Sequence, residues 1–394
     1  MRWRLPREAF SAARVLRDLG SSSGAPSQHF HLAASQGNTI SRRISLSRPL
    51  AIQALGAFTS AGVRAATAFG SARLGLKFFE ELPWNDAGGV PIVGGRTTVD
   101  LGEIAGDDRL ATMAAHALRE CVAAPIPAAR RAIEPPAPML LCLPVSDPGG
   151  PSRPPAEFLT VLAAEAGAAI DLPASRAFTS GRAAVFEALD EAAQMLAGRS
   201  VAAVYLGGVD SLVDGVTLDR WLRAGRLKTS TTEGFIPGEG AVFLRLVRDG
   251  GPGALATVVS VGSARESRAR GVEHPNVGAG LTKAARAALA SAGLPVAEVS
   301  AIVHDAGDRA SFREVSLAMA RLRLRAEPAP LIATVAACAG ELGAAYGPFA
   351  LGMAAFFLAR GVNEGSVTLV LGSGEDTERG AAILTRPGGG HGAH

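Results

Sequence analysis

The run Gly234-Phe235-Ile236-Pro237-Gly238-Glu239-Gly240-Ala241, continued by Val242-Phe243-Leu244-Arg245-Leu246, decides how this 394-residue chain is read. Glycine permits backbone angles and close approaches that a Cβ forbids, so Gly234, Gly238 and Gly240 make a tight turn that feeds an apolar strand. Outward from it the same texture recurs: short apolar runs ended by glycine, then Ala-rich segments with helical spacing, an α/β pattern. Strands are predicted at 50–55, 139–145, 201–206, 241–246, 256–261, 300–303, 331–333, 367–371 and 381–384. The clearest helices are predicted at 156–164, 181–196, 279–292, 312–322 and 342–358. The turn-rich stretch Asp249-Gly250-Gly251-Pro252-Gly253 marks a junction between two halves, 49–250 and 251–386.

Flanking segments and composition narrow the function classes. Residues 1–48 carry eight arginines against Glu8 and Asp18, and they include the linker-like Gly20-Ser21-Ser22-Ser23-Gly24. They read as a basic, flexible extension, with an organellar transit peptide as the alternative; residues 387–394 read as a short flexible tail. With only two tyrosines and three tryptophans, and no basic face outside the extension, nucleic-acid binding is not expected. Cys121, Cys142 and Cys338 lack metal or redox spacing, so a reducing, cytoplasmic setting, no metal and no cofactor are expected. Between Glu341 and Arg360 lie 18 uncharged residues, near the minimum for a membrane span. Gly343, Gly347, Pro348 and Gly352 interrupt them, which favours a helix enclosed between sheets over a span.

The quoted stretch resembles the G-F-x-x-G-E-G-A-strand motif of β-ketoacyl-acyl-carrier-protein synthases, the condensing enzymes of the thiolase superfamily. Leu206-Gly207-Gly208-Val209-Asp210-Ser211 resembles the strand and turn after that family's nucleophile helix. Asn276-Val277-Gly278-Ala279-Gly280 resembles the start of a helix in its second half, and Gly56-Ala57-Phe58-Thr59-Ser60-Ala61-Gly62 its first strand and loop. The likeness runs in order over about residues 49 to 386. It implies a layered α/β/α/β/α fold of two pseudo-symmetric halves, usually as a dimer.

The family's catalytic groups are the residues this chain lacks. Arg176-Ala177-Phe178-Thr179-Ser180-Gly181 resembles the family's A-C-T-S-G segment, placing Phe178 where a cysteine accepts the acyl group; phenylalanine cannot form a thioester, and its ring is expected to fill part of the acyl pocket. Ala336-Ala337-Cys338-Ala339-Gly340-Glu341 resembles K-x-x-x-G-H, with Ala336 at the lysine and Glu341 at the second histidine; helix capping is the plain role for Glu341. His304 is the candidate for a retained first histidine, and Asp305 and Asp308 are expected to favour its charged form. Gly372-Ser373-Gly374-Glu375-Asp376-Thr377 represents the terminal G-F-G-G-T-N loop without its phenylalanine, and Glu375 and Asp376 are expected to make the field there acidic.

Loss of interdependent catalytic groups costs several powers of ten in rate. The resemblance therefore implies an accessory, acyl-binding or partner-binding subunit: a homodimer, or a heterodimer with an active ketosynthase that also meets an acyl carrier protein. The alternative is an active acyl-thioester transferase or condensing enzyme of fatty-acid or polyketide synthesis with an altered site, using Ser180, His304 or Cys338. Ser180 otherwise caps or packs at the helix start, and Cys338 is otherwise a buried structural thiol.

Overall fold

The computed structural model describes residues 42–44, 49–97, 101–102, 104–125, 135–145, 153–198, 200–248, 253–267, 276–324, 329–362 and 365–388. Most of the predicted extension 1–48, the turn at 249–252 and the end of the predicted tail lie outside them. Residues 42–44, which the sequence reading assigned to the flexible extension, form a strand instead. This β1 (Arg42–Ile44) pairs antiparallel with β9 (Ala256–Arg265), Arg42 opposite Ser263 and Ile44 opposite Val261.

The remaining strands of the main sheet are β2 (Leu50–Thr59), β5 (Met139–Cys142), β6 (Arg176–Phe178), β7 (Ala203–Ser211), β8 (Glu239–Val247), β10 (Val299–His304), β11 (Leu331–Thr334), β12 (Val367–Ser373) and β13 (Glu378–Thr385). Their spatial order is β11-β10-β12-β13-β9-β2-β8-β7-β5-β6. Read outward from its centre, this order is the same sequence of events twice. In each half the first strand (β2 or β9) pairs antiparallel with the last (β8 or β13), the last antiparallel with the fourth, the fourth parallel with the second, and the second parallel with the third. The two half-sheets join where Leu50–Ile52 of β2 meets Ala256–Val258 of β9.

Helices repeat in the same places. Between first and second strands lie α2 (Gly106–Ala123) and α6 (Ala279–Ala292); between second and third, α3 (Pro155–Ala166) and α7 (Arg309–Leu322); between third and fourth, α4 (Ala184–Ala197) and α9 (Tyr346–Arg360). The first four pack outside the half-sheets, while α4 and α9 each touch strands of both halves and so form the middle layer. The layering is α/β/α/β/α, as the resemblance implied. The stretch 342–359 is accordingly a one-turn 3-10 segment, Gly343–Ala345, followed by α9, whose residues are buried on nearly every side; no helix among the described residues is long and apolar enough to cross a membrane.

β8 shows why the opening stretch carries so much information. Alternate side chains of a strand face opposite ways, and here both faces are covered. Val242, Leu244 and Leu246 enter the cluster around the middle layer, and Ala241 and Phe243 enter the cluster under α2 and α3. All nine predicted strands are present. The sequence reading did not single out α1 (Ala65–Arg73), α2, α5 (Gly215–Arg223), or the separate hairpin of β3 (Glu80–Asn85) and β4 (Pro91–Gly94), and α2 is the core support for β2 and β8. The short α8 (Ala336–Ala339) precedes α9.

Candidate functional site

Both middle helices begin alike, with a glycine in the left-handed region (Gly181, φ 64°; Gly343, φ 51°) opening a 3-10 turn. At Gly343 a Cβ would stand 2.0 Å from Asp210 Oδ2, so the position is closed to any side chain. The carboxylate of Asp210 sits there to accept the Ala344 and Ser211 N–H groups, each at 2.8 Å. Gly238 is held as tightly: its Cβ would lie 2.2 Å from the Ala339 carbonyl oxygen. This contact joins the opening motif to α8, and Gly238 N donates to Glu341 O while Glu341 N donates to Ile236 O. Gly234 and Gly240 are packed against backbone at Arg226 and Phe58 in the same way.

Glu239 of that motif is fully buried and saturated. It accepts from Arg109 Nε at 2.9 Å and Nη2 at 2.6 Å, from Thr97 N and Oγ1, and from Ser211 Oγ. Burial alone would raise its pKa, but the Arg109 bonds and charge outweigh it and hold the carboxyl below its usual range. The pair is a structural tie between α2 and β8.

The segments singled out from sequence do converge, on a residue that the sequence reading overlooked. Arg182, one residue past Gly181 and 5% exposed, crosses from the first half to the second. Its Nη2 bonds Asp305 Oδ2 at 3.0 Å and Asp305 O at 2.7 Å; its Nη1 pairs with Glu341 Oε2 at 3.0 Å and Glu375 Oε1 at 3.2 Å. Burial works against the charge on Arg182, yet Glu341, Asp305 and Glu375 together push its pKa up. Arg226 extends the network, reaching Glu375 Oε2 at 2.9 Å and Asp308 Oδ2 at 3.2 Å. Glu375, expected with Asp376 to make the field there acidic, is thus bridged by two arginines that compensate its charge. Charged residues in the first turn of an otherwise apolar buried helix were the available signal for Arg182.

Glu341 does have the capping role proposed for it, its Oε1 accepting Gly343 N at 3.1 Å, and it does so while paired to Arg182. Ala336 lies beside Gly307, in the loop after β10. Gly372 faces the ring of Phe186 on α4, where a Cβ would lie 2.7 Å from it, and Gly374 N bonds Glu378 O. Phe235 is buried against Trp221.

His304 is 1% exposed at the end of β10, in edge contact with Phe312. Its Nδ1 accepts Ala306 N at 3.1 Å, which places the hydrogen of the neutral ring on Nε2. Burial lowers its pKa despite Asp305. Asp305 does favour the charged form, as expected, but burial outweighs it, and the carboxylates of Asp305 and Asp308 are turned to Arg182 and Ser373 N and to Arg226 and Ser311. Phe178 is half-buried and packs on the central apolar cluster. It is not among the residues that line the cavity beside Thr179 and Ser180. Ser180 makes no side-chain cap at the helix start, and its Oγ is buried. Cys338 is buried, its Sγ donating to Val335 O and its pKa pushed up to about 12 by burial; burial also pushes up Cys121 and Cys142.

The cavity measures about 950 Å³ and runs over Thr179, Ser180, Arg182 and Glu341 to Trp84 and Trp221. Asp210 lines it, and burial raises that carboxyl's pKa to about 7 although two backbone N–H groups oppose the shift. The folded pKa lies above the unfolded value near 3.8, so the folded state holds the proton longer. Stability from this group is complete below pH 4 and is lost as pH rises through 7. Denaturant unfolding of the wild type and Asp210→Asn should therefore show a difference in stability that falls between pH 4 and 7 and is flat above; a constant difference would show that Asp210 does not titrate in that window.

No known protein family and no curated protein matches the chain by sequence. Solved structures match it by shape. The ishigamide ketosynthase/chain length factor aligns with a TM-score of 0.70 at 17% identity, over 86% of this chain and 100% of that one. The ketosynthase ApeO in complex with its chain length factor ApeC, from Xenorhabdus doucetiae, aligns at 0.68 and 16%, over 86% and 98%. The complex AntDE:AntF, a type II polyketide synthase acyl-carrier protein with its ketosynthase, aligns at 0.69 and 14%, over 86% and 99%. The chain has the thiolase-like fold of these proteins.

Proposed function

We propose that this chain is a non-condensing, chain-length-factor-like subunit that pairs with an active ketosynthase in polyketide-type assembly and borders the acyl chain the partner builds. The observation that carries this reading is the Arg182 network. Where the resemblance places a nucleophilic cysteine, a lysine and a histidine, the chain has Phe178, Ala336 and Glu341, and Glu341 is tied to Arg182 at 3.0 Å. An ionised carboxylate accepts hydrogen bonds only and repels a developing enolate. The neighbours described as ketosynthase and chain length factor together support a paired role. The cysteines, all free and buried, accord with a reducing cytoplasm. Against an altered enzyme stand the buried Ser180 hydroxyl, the unreactive Cys338 thiol and the burial of His304.

The test is co-expression with a cysteine-bearing ketosynthase of the type II polyketide class, followed by intact-mass analysis after incubation with acyl and malonyl carrier-protein thioesters. A one-to-one complex with the acyl adduct confined to the ketosynthase is expected. A stoichiometric adduct on this chain would overturn the reading, and peptide mapping would then name its nucleophile.

A further inference from the structure

The cavity over Arg182 has a chemical asymmetry that an acyl-bordering role alone does not require. Its volume of about 950 Å³ stands at the upper end of the range of roughly 300–1,000 Å³ for small-molecule sites. Ile104, Leu110, Val145, Leu212, Trp84 and Trp221 give it largely apolar walls, and four arginines also line it. Three of these are engaged. Arg109 is paired with Glu239, Arg182 with Asp305, Glu341 and Glu375, and Arg220 lies over the Trp221 ring at 4.9 Å. The fourth, Arg96, follows β4, is half-buried, and makes no hydrogen bond or ion pair with another described residue. A guanidinium held at the wall of an apolar cavity without a carboxylate is a receptor for an anionic group, and its planar fork suits a carboxylate.

We infer that this cavity binds, without covalent attachment, an amphipathic carboxylate: an acyl chain along the apolar walls with its carboxylate on Arg96. The inference deepens the reading of the chain as an acyl-binding subunit and rests on it. It assigns Arg96 a role in recognising the free acid, which a thioester or an alcohol of the same length cannot exploit. Of the seven carboxylates that line the cavity, Glu341 and Glu375 are engaged by Arg182, Glu378 by Arg265, and Asp107, Asp210 and Asp214 by backbone N–H groups, which leaves Asp376 as the lining carboxylate and Arg96 as the lining guanidinium without a side-chain partner among the described residues.

Two of the three tryptophans, Trp84 and Trp221, line the cavity and provide a direct readout. The full-length chain is titrated with sodium dodecanoate, and in parallel with 1-dodecanol, while tryptophan fluorescence is followed. Saturable binding of dodecanoate, at least about tenfold tighter than dodecanol, is expected for the wild type. Arg96→Gln should remove that preference by raising the Kd for dodecanoate about tenfold and leaving dodecanol unchanged, whereas Arg96→Lys keeps most of it. Equal affinity for acid and alcohol, an unchanged preference in Arg96→Gln, or no saturable binding would each overturn the inference. Pairing with the ketosynthase is measured on the same variants. Failure of dodecanoate binding with pairing intact rejects this inference alone, and loss of pairing with dodecanoate binding intact rejects the functional reading alone.

Discussion

Arg182→Ala is expected to lower the unfolding free energy by about 3–5 kcal/mol, because truncating one member of a buried ion network leaves its partners charged and desolvated. Asp305 and Glu341, 0% and 2% exposed, would each lose the guanidinium that neutralises them. The effect should be far larger than that of Glu375→Gln, since the Glu375 side chain is 31% exposed and solvent screens what it contributes; about 1 kcal/mol or less is expected there. Arg182→Lys should fall between, because one ammonium cannot span three carboxylates in the way that the forked guanidinium does. Urea unfolding of the three variants decides the matter. If Arg182→Ala cost no more than Glu375→Gln, the network would not be what fastens the two halves at this point.

Phe178→Cys is expected to leave both condensation and malonyl decarboxylation at background, at least about a thousandfold below an active ketosynthase. A thiol restored at position 178 would still face a site with no ammonium at Ala336 and with Glu341 held by Arg182. Groups that act as a unit are grossly non-additive, so replacing one of several missing members recovers almost nothing. Assays of decarboxylation and of carrier-protein condensation on the single variant test this. Turnover within tenfold of an active enzyme would mean that Phe178 alone silences the site.

The strands and the middle-layer helices were legible in the sequence because burial on both faces leaves long apolar runs bounded by glycine. The helix predicted at 279–292 matches α6 at both ends, and the predicted strands at 50–55 and 256–261 fall within longer elements. The hairpin β3–β4 and the nine-residue helix α5 were missed because each is short and turns only a few apolar side chains to the small cluster around Leu82 and Phe235. Strand β1 was hidden for a different reason. A stretch of arginines and serines looks like linker by composition, and only the open edge of β9 gives it a partner.

At the site the division follows interaction range. The resemblance marked Phe178, His304, Ala336 and Glu341, and that Phe178 is not a cysteine and Ala336 not a lysine is a fact about residue type alone. Charge compensation is not local. Arg182 meets carboxylates more than a hundred residues away in the chain, Arg96 stands apart from them, and Asp210 lies under a glycine of the opposite half. The sequence by itself determined the α/β alternation of strands and helices and the residue types at the motif positions, because apolar periodicity and side-chain chemistry are properties of single segments. Only the tertiary structure decided which charges cancel, where His304 keeps its proton and which of the cavity's four guanidinium groups stands without a carboxylate, because Coulomb energy and desolvation depend on distances that the fold alone sets.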